Sequence, residues 1–486
     1  MKKTIKSLVG CVVFVALVLC LFSGLTEILT PKFENRYYVL EDYLQNHPED
    51  NLHDLQIFGS CHSYTSFNPV YMQELTGVSS FVYGNAGEII PTTYARMVEQ
   101  FQRHIPKVAL VEIWGINPYE TYSAQEDVFG HYLSNNLEQV GSSLAKQEVI
   151  LDFQDKEFQD ISLLSMNFPF MNYKDRLLDG SLTKLDFAYS FAETKDLTDP
   201  YTYKEMLARR NNCGYRPNTT NELADYPQKQ NTIAQGEILA IEPDIEEYIW
   251  KIIDLCKEKG VELIFYRSPY VSTVNELKKV NRFKQICQEA EVLFLDLEAE
   301  IAFDYKRDFL DYEHLSETGA NKATEFLMPY IMDAMGQTWE KKEIRRENML
   351  QDDWKSRFDL SATEKGVRVE LTGPEAGWLL YQDIPVDEAL WESSVTLYAN
   401  VVDYQGTKLA TMISYRDADM NEINAKEAEI TSGANTVACL LPMGTKYVRV
   451  GLYAREGNES GNFVTTDRIE LFQGAFTADN LPTVIN

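Results

Sequence analysis

From residue 55 onward, short apolar runs alternate with segments whose apolar residues recur at helical spacing. "LQIFGS" (55–60) reads as a strand, "NPVYMQELTG" (68–77) as a short helix, and "SSFVYGNAG" (79–87) as a strand running into a glycine-bearing turn. Tyr94, Met97, Val98, Phe101 and Ile105 fall on one helical stripe. "KVALVEIWG" (107–115) is nearly all apolar, as a parallel strand covered on both faces should be. The rhythm is lost over 119–243, which reads as a long insertion with some helix, a lid or groove wall. It then resumes. "DIEEYIWKIIDLCKEKG" is a helix closed by Gly260, "VELIFYRSP" a strand, "VNELKKVNRFKQICQEA" a helix and "VLFLDL" a strand. A last helix over 315–335 takes Ser316 as its N-cap. This alternation predicts an α/β three-layer sandwich with a mainly parallel sheet over 37–335.

Residues 336–355 are strongly charged and read as a linker or connecting helix. Beyond them the period changes to two. "GVRVEL", "SVTLYANVV", "KLATMISY", "TVACLL", "KYVRVGLYA" and "RIELFQ" are short strands separated by Gly, Asp and Asn turns. They predict a C-terminal all-β sandwich or jelly roll over 356–480, which either binds glycan or braces the first domain.

At the other end, Lys2, Lys3 and Lys6 precede an uncharged run from Ser7 to Thr26, long enough to span a bilayer as a helix. The lysines assign the N-terminus to the cytoplasm. Residues 1–30 are therefore expected to form a single-pass anchor in the cell membrane, with the C-terminal bulk extracellular. A cleaved signal peptide is the alternative; Leu19, directly before Cys20, is bulky where a lipoprotein signal would have a small residue.

Composition narrows the function. A length of 486 residues implies two or three domains. A net charge of −29 repels nucleic acid, so no nucleic-acid partner is expected. Cys11 and Cys20 lie in the apolar run; Cys61, Cys213, Cys256, Cys287 and Cys439 are scattered, with no Cys-x-x-Cys spacing. Their odd number leaves at least one thiol without a partner in the chain. Six histidines argue against a His-rich metal site, and neither a metal nor a cofactor is implied.

In a parallel α/β sheet, ligands bind beyond the carboxyl ends of the strands. Four sets of reactive residues follow strand ends: Gly59, Ser60, Cys61 and His62 in "GSCH"; Gly84, Asn85 and Gly87 in "YGNAGE"; Gly115 and Asn117 in "WGINPYE"; and Asp311 and His314 in "FLDYEHLSETG". Asp-x-x-His is weak by itself, since six histidines among 74 carboxylates give roughly 0.9 chance matches at that offset. Asp50 and His53 also fit but precede the first strand, on the wrong side of the sheet.

These ordered blocks resemble the SGNH/GDSL hydrolase superfamily over 55–118 and 261–330. Within it they are most similar to the membrane-anchored extracellular proteins of bacterial cell-surface acyl modification, of the alginate O-acetylation and D-alanyl-lipoteichoic-acid transfer types. The resemblance implies an SGNH-like sandwich and an acyl-enzyme mechanism. Cys61 takes the position of the usual serine nucleophile, His314 is its base and Asp311 orients the imidazole. Gly84 N–H, Cys61 N–H and Asn117 would receive the oxyanion, with Asn85 as the substitute side-chain donor. The chain departs from the family pattern twice, with sulfur at the nucleophile and Pro118 in the third block.

Other roles stay open. Cys61 also reads as a small buried hydrophobe, and Ser60 or Ser63 as the nucleophile in a shifted frame. His62 should point away from Cys61 if the chain is extended there, as a supporting or substrate-contacting residue. Trp114, Tyr119 and Tyr215 offer rings for a sugar or for core packing, and Arg267 an anion contact or a surface ion pair. The function expected is an acyl esterase or O-acyltransferase on a cell-surface glycan or polymer, partnered by a membrane-bound O-acyltransferase. The alternative is a non-catalytic cell-envelope binding or assembly protein on a degenerate SGNH scaffold.

Overall fold

A computed structural model describes residues 2–30, 52–116, 126–154, 161–178, 212–218, 236–351, 353–374, 376–391 and 393–485. The chain opens with helix α1 (Lys2–Leu29), whose stretch Leu8–Thr26 is long and apolar enough to cross a membrane or to serve as a signal sequence. An α/β layer structure follows, then an antiparallel β region.

The α/β part is built on five parallel strands: β1 (Leu55–Phe58), β2 (Ser80–Val82), β3 (Val108–Glu112), β4 (Glu262–Arg267) and β5 (Leu293–Asp296). Their order is β2-β1-β3-β4-β5. β1 pairs Leu55 with Ser80 on one side and with Val108 on the other, both in parallel. The strands are apolar on both faces because each face carries its own core. Phe58, Val111 and Phe265 point into one; Ile57, Leu110 and Ile264 point into the other. The first core is covered by α4 (Ile90–Arg103) and by helices at Pro243–Lys259 and Val274–Ala290. The second is covered by α2 (Cys61–Ser66), α3 (Pro69–Thr76) and the long helix Glu317–Ala334. Gly260 closes its helix in the left-handed conformation (φ 69°), and Ser316 caps the last one by accepting from Gly319 N–H. In the order 2-1-3-4-5 the chain reverses direction between β1 and β3, where doubly wound sheets open a crevice at the carboxyl end.

Described parts of the insertion form α5 (Glu126–Gln139), α6 (Leu144–Phe153) and a short helix Leu163–Asn167. The charged stretch after residue 335 is not a connecting helix. Gly336 (φ 69°) follows the end of the preceding helix, and Arg345–Glu347 form a short strand paired in parallel with Thr483–Ile485.

The β region is a sandwich of a five-stranded and a four-stranded sheet, each pairing antiparallel. Its rings Tyr398, Phe472 and Phe476 join the second core of the α/β part. Ser394 Oγ donates to Glu317 and Asn321 Nδ2 donates to Ala475 O (3.2 Å), so the sandwich grips the start of the helix that follows His314.

Candidate functional site

The site begins where β1 ends. Gly59 has φ 129°, and a Cβ there would come within 2.8 Å of Glu112 Cβ, so only glycine fits between β1 and β3. Ser60 is the N-cap of α2; its Oγ accepts from His62 N–H at 3.2 Å. The helix starts at Cys61 itself. This corrects the expected extended chain and changes the geometry of the whole cluster. Ser60, His62 and Ser63 are buried completely, and only Cys61 keeps part of its surface. Ser63 Oγ donates to Ser60 O (2.7 Å) and Ser60 Oγ donates to Glu112 Oε2 (2.8 Å), so both hydroxyls are committed to the turn.

His314 enters from the loop before the last helix. Asp311 Oδ1 accepts the backbone N–H groups of Glu313 and His314, each at 2.8 Å, which folds the loop back on itself. The same carboxylate lies 3.0 Å from His314 Nδ1 through both oxygens. Nδ1–H therefore donates to Asp311, and Nε2 is the nitrogen left for other chemistry. Burial works against a charge on His314, but the hydrogen bonds to Asp311 and Cys61 outweigh it and push its pKa up to about 10. Burial likewise opposes the Asp311 carboxylate, yet His314 and the two backbone N–H groups hold it below its ordinary value.

Behind this pair lies a second layer that the sequence did not reveal. Glu112 ends β3 and is fully buried; it accepts from Ser60 Oγ and from Trp114 N–H (2.7 Å). Burial pushes its pKa up to about 7 against those hydrogen bonds. Ser60 Oγ also sits 3.0 Å from His62 Nδ1. With the hydroxyl proton given to an ionised Glu112, His62 Nδ1–H is the donor, and Nε2 is a buried lone pair with no hydrogen-bond partner among the described residues. The His62 ring is stacked between Trp114 (5.6 Å) and His314 (5.3 Å, 20° apart), with Tyr270 tilted beside it at 5.0 Å. Burial first, and then the charge of His314, depress the His62 pKa well below normal, so this imidazole stays neutral beside its neighbour. The one signal available in the sequence was a lone carboxylate at the end of the apolar run "KVALVE".

The remaining predicted residues divide. Gly84 packs directly on the turn that leads into α2: a Cβ there would overlap Ser63 Oγ and come within 2.8 Å of Gly59 O. Its φ is not positive, so close approach and not turn geometry demands glycine; Gly87, at φ 61°, is the turn glycine. Asn85 is buried, with Nδ2 donating to Gln139 Oε1 (2.6 Å) and Oδ1 accepting from Ala86 N–H, which turns its amide to the insertion. Asn117 and Tyr119 lie outside the described residues, as does Asp50; His53 stacks on Phe81 at the opposite end of β1. Arg267 is corrected in both its readings. It is fully buried, paired with Asp296 (3.0 Å) and Glu298 (2.5 Å), and reaches neither the surface nor an incoming anion. Tyr215 is buried, and Trp114 packs on His62.

His62, Glu313 and His314 bring one metal-ligand atom each within 4.8 Å of the others. The two rings are nearly parallel, so their in-plane lone pairs run side by side and do not converge as tetrahedral ligation requires.

No protein-family model matches the chain. Among solved structures, a two-domain esterase active on acetylated mannans, co-crystallized with mannopentaose, aligns over 90% of this chain and 95% of its own, at 8% identity and a TM-score of 0.25. TmCBM61, solved in complex with beta-1,4-galactotriose, aligns over 26% of this chain and 99% of its own, at 15% identity and a TM-score of 0.20. The enzymatically active domain of bacteriophage CBA120 tailspike protein 4 aligns over 26% of this chain at 9% identity and a TM-score of 0.19, and here the chain spans only 21% of that protein's length. Likenesses at these TM-scores carry no argument about activity, which has to be read from the geometry.

Proposed function

We propose that the chain is an SGNH-like acyl esterase or O-acyltransferase that works through an acyl-enzyme on Cys61, with a cell-surface glycan or polymer as substrate. The observation that carries this reading is a partly exposed thiol grouped with two imidazoles beyond the end of β1: Cys61 Sγ lies 3.9 Å from His62 Nδ1, and the His62 ring stacks 5.3 Å from that of His314, which Asp311 holds. The proton that Cys61 gives up rests on Nε2 of His314, which its hydrogen bonds hold in the charged form. The sulfur attacks the ester carbonyl, a C–S bond forms and the carbonyl electron pair moves onto oxygen. That oxyanion faces the backbone N–H groups of Cys61 and Gly84 in this reading. On collapse the C–O bond breaks, and His314 returns its proton to the departing alkoxide. Water or an acceptor hydroxyl then attacks the thioester carbonyl, gives its proton to His314, and releases the thiolate. Ser60, Glu112 and His62 act by positioning: they fix the nucleophile turn and the plane against which His314 stacks. A membrane-bound O-acyltransferase remains the partner we propose as acyl donor.

The test is turnover of p-nitrophenyl acetate and of acetylated mannan by the full chain. Cys61→Ala and His314→Ala should each lower it by about two to four orders of magnitude with the thermal midpoint unchanged. Undiminished turnover in both variants contradicts the reading. The departures at Cys61 and Pro118 favour a second reading, a binding protein on a degenerate scaffold. Iodoacetamide separates the two. Rapid labelling of Cys61 that slows in His314→Ala supports catalysis, and slow labelling indifferent to His314 supports binding.

A further inference from the structure

The anchor helix does not leave the chain alone. Its apolar stretch is exposed, but its last turn is packed: Leu29 and Thr30 are buried, and Arg176 Nη1 donates to Leu29 O at 2.7 Å. That guanidinium satisfies one of the carbonyls a helix C-terminus leaves open, and its charge suits the negative end of the dipole. Deeper along the helix, Phe22 meets Phe168 and Phe170 edge-on, both at 5.2 Å. Phe22 lies four residues inside the end of the apolar stretch at Thr26, about 6 Å along the axis at 1.5 Å per residue. If α1 spans the bilayer, the rings at 168 and 170 lie within its edge.

The segment that carries those rings exposes an apolar face. Leu178 is 90% exposed and Leu177 57%, at one end; Leu164 is 52% exposed, at the other. A pair of amide hydrogen bonds between Gln147 and Asn167 (2.7 and 2.8 Å) ties this segment to α6. Leu144 and Leu151 lie three residues before and four after Gln147, on the same helical face, and both are exposed. The two joined segments thus expose these five leucines, and Phe168, Phe170, Tyr173, Lys174 and Arg176 lie between those at 164 and 177, the mixture of apolar, aromatic and basic residues typical of a membrane interface. Exposed apolar side chains gathered beside an apolar helix signal a binding partner. Continuity with the anchor says which one: a protein seated there would have to enter the headgroup layer.

We infer that residues 163–178, together with the Leu144–Leu151 face of α6, lie in the phospholipid interface beside the anchor helix. The insertion then holds the α/β part on the bilayer at a second place, and the crevice keeps a fixed orientation to the membrane. This rests on α1 crossing the bilayer and is independent of any chemistry at Cys61.

The test uses the full chain in proteoliposomes made with phosphatidylcholine brominated near the headgroup end of its acyl chains. Leu178→Trp replaces an almost fully exposed side chain and should fold normally. Its added tryptophan emission should be largely quenched. A control, Ile423→Trp on an exposed strand of the β region, should not be quenched. Equal emission from both variants overturns the inference. A mature chain lacking residues 1–30, read by intact mass, overturns it too, and leaves the esterase reading to its own assay.

Discussion

The α/β part and the β sandwich treat charge in opposite ways. In the α/β part, Glu112, His62 and Arg267 are wholly buried, and all three lie at or just beyond the carboxyl ends of β1, β3 and β4. In the sandwich, the buried polar groups are mainly hydroxyls and amides such as Thr396, Thr411 and Asn435, and ion pairs such as Lys446–Glu388 sit at the surface. Burying a charge costs stability unless it is paired and hydrogen-bonded. The α/β part accepts that cost at these strand ends, and also at pairs such as Arg96–Glu88, whereas the sandwich largely avoids it.

The comparison can be broken by substitution. The largest effect should come from Arg267→Met, which leaves Asp296 and Glu298 without their shared buried partner and should cost about 3–5 kcal/mol in urea denaturation. A loss below about 1 kcal/mol would mean that the pair is not held as described. Glu112→Gln tests the pH dependence. With a folded pKa raised from 4.5 to about 7, Glu112 binds protons more tightly in the native state, so stability should fall as pH rises across that interval. Glu317, half-buried and raised to about 7, contributes a second share. Glu112→Gln should flatten the fall measured by thermal denaturation between those pH values; an unchanged slope would show that Glu112 titrates normally. Ser60→Ala removes both the N-cap of α2 and a donor to Glu112, and should cost about 1–2 kcal/mol. The smallest effect belongs to the sandwich. Glu388→Gln breaks an exposed pair and should stay below about 1 kcal/mol.

The sequence made the strand ends readable because parallel strands are mainly apolar and the runs stop at Gly59, Gly84, Gly115 and Arg267. Position relative to those ends separated Asp311 and His314 from Asp50 and His53. Less was readable where a residue's meaning depends on a distant partner. Glu112 is a lone carboxylate in an apolar run and accepts from Ser60, the N-cap of α2. Arg267 looked available because nothing in "YRSP" announces Asp296 and Glu298. His62 was given the wrong direction because a six-residue helix, capped by Ser60, begins where extended chain was expected. In the sandwich, the strand Glu422–Glu429 escaped notice. Its sequence "EINAKEAE" has the composition of a helix, and as an edge strand it is paired on one side only and stays exposed or half-buried, so no apolar pattern is imposed on it. The strand Gly377–Pro385 was missed for the opposite reason, since "WLLY" is apolar without alternation.

The central claim is that Cys61, and not a neighbouring hydroxyl, carries the acyl group. It is tested most directly by intact-mass and peptide mass spectrometry of the full chain quenched in acid during turnover of p-nitrophenyl acetate. One added acetyl group, located on Cys61, released by hydroxylamine and absent from Cys61→Ala, is the predicted result. An acetyl group on Ser60 or Ser63, or turnover that persists in Cys61→Ala, would contradict it.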